Sequence, residues 1–284
     1  MTMVGSKTIL RKAKEGGYAI GAFNAENMEM VQAIIAAAAE LKSPVIIQTT
    51  PSTVSYASLE MFQSMVFSEA QKVPVPVVLH LDHGNSFELC EQAIKAGYTS
   101  VMIDGSKLSF EENIALSKRV VAVADKAGVD VESELGIIGG KEDGYEVSGK
   151  DAIYTNPQRA VEFAEKAGIQ SLAVAIGTAH GFYTGKPKLD FDRLREINTA
   201  VSIPLVLHGA SGVPDDMVRH SIELGICKVN FATELRAAFT KGVRRTLEGH
   251  ADIIDPKKYN EIGREEVKKL VQEKICVCQS AGKA

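Results

Sequence analysis

The chain has 284 residues, of which 45% are hydrophobic and 24% charged, and its net charge is −4. This is the balance of a soluble globular protein with a full core, long enough for one large α/β barrel or two ordinary domains. Without a basic block it is a poor partner for nucleic acid or an anionic membrane, and no uncharged apolar stretch is long enough to span a bilayer.

Apolar runs of strand length alternate with amphipathic helical runs from end to end. Residues 18–24 read as the first strand and 27–41 as an Ala-rich helix. Residues 44–50 follow as strand two, 56–72 as a helix, 75–82 as strand three and 86–96 as a helix. Strand four takes 100–104, a helix 110–127 and strand five 129–135. Residues 136–156, with the pair Gly139 and Gly140, are too long for a simple connection and read as a mobile loop. Pro157 opens a helix to Ala167 at the first-turn position that proline tolerates. Strand six (171–177), a helix (191–200), strand seven (204–208), a helix (215–224) and strand eight (226–230) complete the alternation. Two long helices, 233–247 and 256–276, close the chain. Eight strand–helix units without a composition break predict an α/β fold, one closed (β/α)8 TIM barrel domain over residues 1–284 with extra C-terminal helices.

Residues 1–7 lack a charged region followed by an apolar run, so no signal peptide is expected. Cys90, Cys227, Cys276 and Cys278 are scattered, which suits reduced thiols and a cytoplasmic location rather than a disulfide scaffold.

Three of the apolar strands end in histidine followed by glycine. His80-Leu81-Asp82-His83-Gly84 closes strand three, Gly177-Thr178-Ala179-His180-Gly181 follows strand six, and His208-Gly209 follows strand seven. In a barrel all strand ends meet at one face, which makes neighbours of three distant histidines. His83, His180 and His208 thus fit a three-imidazole metal site with an open position, zinc first, with cobalt, iron or manganese as alternatives.

Asp82 precedes His83, and alternation along a strand sets the two on opposite faces while His80 and Asp82 share one. Asp82 can serve as ligand, as partner to a ligand or as general acid/base; three available histidines favour acid/base. His80, one layer deeper, reads as hydrogen-bonded support. Asp104 ends strand four, and Glu132 and Glu134 share a face of strand five. Asp104 and Glu134 either orient metal-bound histidines, hold a second cation or face solvent at the rim. His208-Gly209-Ala210-Ser211-Gly212 and Asn230-Phe231-Ala232-Thr233 follow strands seven and eight, where barrels of this kind cradle phosphate. Gly181 could add a further close backbone approach. A Lewis-acid metal, a carboxylate and a phosphate anchor together suit carbon–carbon chemistry on a phosphorylated ketone. Lys228 on strand eight keeps a Schiff base formally open.

These motifs, with Phe23-Asn24, Ser100-Val101-Met102-Ile103-Asp104, Glu132-Ser133-Glu134-Leu135-Gly136, Gly139-Gly140-Lys141-Glu142-Asp143 and Lys228-Val229-Asn230-Phe231-Ala232-Thr233, closely resemble the class II, metal-dependent ketose-bisphosphate aldolases over essentially the whole chain. The resemblance implies one zinc ion per subunit on His83, His180 and His208, and zinc-stabilised enediolate chemistry. It implies that Asp82 moves the proton of the C4 hydroxyl and that Glu142, on the mobile loop, shuttles the dihydroxyacetone-phosphate proton. Asn24, Gly181, Gly209, Ala210, Ser211, Asn230, Phe231, Ala232 and Thr233 would bind the substrate, with a monovalent cation (Na+ or K+) near its dihydroxyacetone-phosphate half. Asp104 and Glu134 match acids linked with a second or alternative metal position. Ala232-Thr233-Glu234-Leu235 together with Gly177-Thr178-Ala179-His180-Gly181-Phe182-Tyr183 looks most like the tagatose-bisphosphate aldolases. Pro51-Ser52-Thr53 departs from a more glycine-rich family stretch, and Arg236 becomes the candidate for the second phosphate.

The expectation is therefore reversible cleavage of tagatose 1,6-bisphosphate to dihydroxyacetone phosphate and glyceraldehyde 3-phosphate by a homodimer or homotetramer. The alternatives are a fructose 1,6-bisphosphate or other ketose-phosphate aldolase, a metal-dependent hydrolase, and a non-catalytic barrel subunit of an aldolase complex.

Overall fold

The structure is a computed structural model that describes residues 3–142, 145–148, 153–183, 185–250 and 252–284. Its strands are β1 (Ile20–Asn24), β2 (Val45–Thr49), β3 (Val77–Gly84), β4 (Ser100–Ile103), β5 (Asp130–Leu135), β6 (Gly139–Glu142), β7 (Tyr145–Val147), β8 (Ser171–Val174), β9 (Ala179–His180), β10 (Leu205–Leu207) and β11 (Ile226–Phe231). Its helices are α1 (Ser6–Gly16), α2 (Met28–Glu40), α3 (Pro51–Ala57), α4 (Leu59–Ala70), α5 (Phe87–Ala96), α6 (Phe110–Ala127), α7 (Pro157–Ala167), α8 (Phe191–Ala200), α9 (Asp215–Glu223), α10 (Thr233–Gly249) and α11 (Pro256–Val277). Eight strands close a parallel barrel in the order β1-β11-β10-β8-β5-β4-β3-β2, the predicted architecture. No helix among the described residues is long and apolar enough to cross a membrane.

Alternation along the strands divides the barrel into two environments. Outward residues such as Phe23, Ile47, Leu79, Leu81, Val101 and Phe231 pack under the helices in one continuous core. Inward residues change character along the barrel axis. Ile20, Ala22, Ile46 and Val78 make an apolar floor near the strand starts. Above it the lining turns polar, with His80, Glu132 and Lys228, and then Asn24, Gln48 and Asp82, all buried. A polar interior is stable only when its groups pair, and it is these pairs that build the site.

Four local features differ from the sequence expectation. The chain opens with α1, whose Ile9, Leu10 and Ala13 cover the apolar floor beside Tyr18. Most of its remaining face is exposed and charged, so alone it resembles a solvated segment; burying Ile9 and Leu10 is worth about 1.5–3 kcal/mol each. The helix expected over 56–72 is two helices. Pro51 starts α3, and Ser58, with φ +73°, breaks the run and caps α4 by accepting from the Met61 N–H. The loop after strand five contains β6 and β7, which pair with each other and, through β6, with β9 in a small sheet beside the barrel mouth. Finally β3 runs on through His83 to Gly84.

Lys14 fastens α1 to the barrel. Its Nζ donates to three carbonyls just after α8, those of Val201 (3.1 Å), Ser202 (2.9 Å) and Ile203 (3.1 Å). Lys14→Met is expected to destabilise the fold by about 1–3 kcal/mol, the usual loss for charge-assisted hydrogen bonds at a half-buried site. Urea denaturation with unchanged m-value would measure it.

Candidate metal centre and active site

The three strand-end histidines meet at the C-terminal mouth of the barrel. One donor nitrogen from each of His83, His180 and His208 lies within 4.8 Å of the others. The His83 ring stands nearly perpendicular to that of His180, with centroids 5.1 Å apart, and 4.7 Å from that of His208. Strict alternation would turn His83 away from Asp82 and the barrel axis. Instead the His83 backbone takes a left-handed φ of +49°, and the pairing of β3 with β4 slips between Leu81 and Gly84. That kink swings the ring back over the barrel.

Two of the rings are held from behind by carboxylates. His83 Nδ1 lies 3.0 Å from Asp104 Oδ2, and His208 Nε2 lies 2.9 Å from Glu132 Oε1. Carboxylates only accept, so the ring protons sit on those nitrogens. The nitrogens turned toward each other, His83 Nε2 and His208 Nδ1, are 3.0 Å apart and both present lone pairs. Facing lone pairs repel unless a cation sits between them, so this donor set fits a metal ion held by neutral imidazoles. Burial, together with the neighbouring His83 ring, lowers the His208 pKa despite the opposing pull of Glu132, and so favours the neutral ligand form. Burial pushes Asp104 and Glu132 upward. It is outweighed at Asp104 by His83 and the Ser106 N–H, and at Glu132 by the Lys228 ammonium and His208; both carboxyls stay below the usual range. Glu134 Oε2 flanks His208 Nδ1 at 3.4 Å.

Asp82 lies outside the three-histidine cluster, buried under a cover of amides. Its Oδ2 accepts from Asn24 Nδ2 (3.0 Å) and Gln48 Nε2 (3.3 Å), and its Oδ1 from Asn230 Nδ2 (3.2 Å). His80 is the expected support. Its Nδ1 bonds Ser100 Oγ at 2.8 Å, and burial with the Lys228 ammonium pushes its pKa down to about 3, so the ring is neutral.

His180, Gly181, Gly209, Ser211, Asn230 and Thr233 line a narrow cleft beside the imidazoles. Tyr183 ties its two walls together, accepting from the Ala179 N–H at 2.7 Å and donating to the Gly209 carbonyl at 2.8 Å. The Gly212 N–H is already taken by Glu234 Oε1 at 2.5 Å, so it is no free donor for an anion. Ala210 is fully buried, and Phe231 turns outward to stack on Phe23 with centroids 5.5 Å apart, which leaves only its backbone for the cleft. Ala232 is buried at the cleft edge. Arg236 Nε donates to Glu26 Oε1 at 2.5 Å, and Glu26 Oε2 accepts from Thr53 Oγ1 at 2.6 Å. Glu142 ends β6, and its side chain lies outside the described residues.

The sequence profile described as fructose-bisphosphate aldolase class-II matches residues 4–283. The chain belongs to the class II fructose-bisphosphate aldolase family. It is similar to the YdjI aldolase of Escherichia coli K12, at 39% identity over 99% of both chains with a TM-score of 0.86. It is also similar to a protein of Coccidioides immitis assigned as a fructose-1,6-bisphosphate aldolase, at 32% identity over 98% of this chain and 97% of that one, TM-score 0.90. A third similar structure is the fructose-bisphosphate aldolase of Campylobacter jejuni, at 25% identity over 100% and 97%, TM-score 0.84. The protein is accordingly an aldehyde-lyase of the class II ketose-bisphosphate aldolase type, and phosphorylated ketoses and dihydroxyacetone phosphate are the reactants its family implies.

Three features of this class II aldolase site go beyond the sequence reading. Gln48 touches Asp82; its only sequence signal is an amide interrupting the apolar run Val45-Ile46-Ile47. Glu132 contacts a histidine of the cluster and Lys228 at once. The sheet of β6, β7 and β9 also bears on the site, because Gly140 pairs with His180 itself. Gly140 has φ +99°, and a Cβ there would run into the His180 backbone. Gly140→Ala is therefore expected to part β6 from β9 and weaken divalent-metal binding about 10- to 100-fold, as when a ligand loses its support. A metal titration at unchanged barrel melting temperature would check it.

Proposed function

We propose that this aldolase reversibly cleaves a ketose 1,6-bisphosphate, tagatose 1,6-bisphosphate ahead of fructose 1,6-bisphosphate, with zinc held by His83, His180 and His208. The observation that carries the reading is the pair of facing imidazole nitrogens at 3.0 Å, backed by carboxylates and set beside a buried, amide-held Asp82. Zinc at that position supplies Lewis acidity for the negative charge that develops on the ketone half as the C3–C4 bond breaks.

The rest falls to this chain's own groups. Asp82 takes the proton of the C4 hydroxyl as the C4 carbonyl forms, and returns it in the reverse direction. Asn24, Gln48 and Asn230 aim its carboxylate by donating to both of its oxygens. Gln48 Oε1 and Asn230 Oδ1 are buried without a hydrogen-bond partner among the described residues, acceptors that suit the hydroxyls of a sugar chain. Gly181, Gly209, Ala210, Ser211, Phe231, Ala232 and Thr233 hold the dihydroxyacetone-phosphate half through backbone and hydroxyl groups, with Na+ or K+ nearby. Glu142 moves the dihydroxyacetone-phosphate proton. Asp104 and Glu134 serve the metal position, Asp104 by orienting His83 and Glu134 by flanking His208. Arg236 receives the second phosphate by sharing its guanidinium with Glu26. The four free cysteines support a cytoplasmic setting, and the family resemblance supports a homodimer or homotetramer.

The likeness of Ala232-Thr233-Glu234-Leu235 to the tagatose-bisphosphate aldolases supports the tagatose preference. A side-by-side measurement of kcat/KM on the two bisphosphates tests it. The tagatose isomer is expected to be the better substrate; a higher value for fructose 1,6-bisphosphate would reverse the preference and leave the aldolase assignment standing. Release of inorganic phosphate in place of two triose phosphates would instead point to a hydrolase.

A further inference from the structure

Below the imidazoles, the barrel axis carries an ion pair that the proposed reaction does not use. Lys228 Nζ donates to Glu132 Oε2 at 2.8 Å, with side-chain exposures of only 1% and 2%. The same Oε2 also accepts, more weakly, from Ser171 Oγ at 3.4 Å, while Glu132 Oε1 accepts from His208 Nε2 at 2.9 Å. Lys228 is steadied from its other side by His80 Nε2 at 3.4 Å; His80 Nδ1 reaches Ser100 Oγ at 2.8 Å, and Ser100 Oγ reaches Ser6 Oγ on α1 at 3.1 Å. The chain of polar contacts thus runs from a cluster histidine across the barrel to the helix that closes its floor.

A buried ion pair is weak evidence for stability, because apolar residues of similar volume often do as well. What apolar residues could not do is fix a proton on a ring. An imidazole's tautomer is set by what its second nitrogen bonds, and that choice decides which nitrogen offers a lone pair to a metal. A terminal carboxylate torsion is soft, so a carboxylate alone can turn away from the ring.

We infer that Lys228 is a positioning residue: it pins one oxygen of Glu132 so that the other holds the Nε2 proton of His208 and leaves the Nδ1 lone pair facing His83 and His180. The inference rests on reading His208 as a metal ligand. It also gives the buried lysine a task other than Schiff-base chemistry, since an ammonium engaged by a carboxylate has no lone pair with which to attack a carbonyl.

The test uses the full-length protein, ¹⁵N imidazole spectra of the metal-free form, and zinc affinity by chelator competition. Metal-free wild type should show His208 protonated at Nε2; protonation at Nδ1 would overturn the inference without any variant. Glu132→Gln with Lys228 in place is the sharper case. The ammonium should claim the amide oxygen and turn the NH2 group to His208, driving its proton to Nδ1 and weakening zinc about 10- to 100-fold. Adding Lys228→Met should free the amide to present its oxygen to His208 and its NH2 to His80, restoring the Nε2 tautomer and part of the affinity. Losses that simply multiply, or a His208 tautomer indifferent to both substitutions, would overturn the inference. Wild-type zinc binding that survives His208→Ala unchanged would instead bring down the ligand reading, a separate result from the tautomer.

Discussion

Treatment with a chelator is expected to reduce sugar bisphosphate cleavage to background, and added zinc to restore it. The effect should be large because a Lewis acid contributes several kcal/mol to stabilising the developing oxyanion, and each 1.36 kcal/mol is tenfold in rate, so about three orders of magnitude or more are at stake. His83→Ala, His180→Ala and His208→Ala should each lose metal, although their surroundings differ. His208→Ala leaves Glu132 still neutralised by Lys228, whereas His83→Ala strips Asp104 of its imidazole partner but leaves the Ser106 N–H. Borohydride added with substrate should trap no lysine adduct, since Lys228 is bound to Glu132 one layer beneath the imidazoles. Full activity in a metal-free preparation would overturn the mechanism. Normal zinc content in two of the three histidine variants would overturn the ligand set.

Asp82→Ala should behave in the opposite way, keeping its zinc and losing its chemistry. The oxygens of Asp82 are engaged by Asn24, Gln48 and Asn230. Removing it should cost about two to four orders of magnitude in kcat, the span of general acid–base catalysis. Exchange of the dihydroxyacetone-phosphate proton should fall much less, because that step leaves C4 untouched. Equal loss in both reactions, or an empty metal site, would make Asp82 a ligand or a structural residue. Because the three amides converge on one carboxylate, Asp82→Asn is the informative companion. It keeps the shape but faces three donors with a single acceptor oxygen, so it should be inactive and also less stable than wild type.

The sequence exposed the parts of this site that lie at strand ends. His-Gly after three apolar runs is a local signal, and barrel closure alone brings those histidines together. Asp104 and Asp82 were legible for the same reason. The interior pairs were not. Glu132 and His80 come from strands two apart around the barrel, and Lys228 from a strand three away from each, so their contacts depend on closure and on each strand's register rather than on any spacing within the chain. Gln48 was hidden because a lone amide in an apolar strand has many meanings. Helix α1 is not legible in sequence because its apolar stripe is short and acquires its partner only when the barrel floor exists. In sequence the β6–β7 pair reads as loop because its glycines find their partner in β9, some forty residues away.

The left-handed backbone at His83 bears on the rival idea of a non-catalytic barrel subunit. A side chain with a Cβ in that conformation costs about 1–2 kcal/mol, and glycine would relieve most of it. Drift under selection for folding alone favours such relief, because stabilising replacements at strained positions are abundant and a scaffold loses nothing by accepting them. Histidine at this position is thus a residue that foldability would discard. A role for the ring accounts for a histidine here where folding alone does not, and it makes His83→Gly a natural first step by which a catalytic barrel of this kind would decay into a silent one.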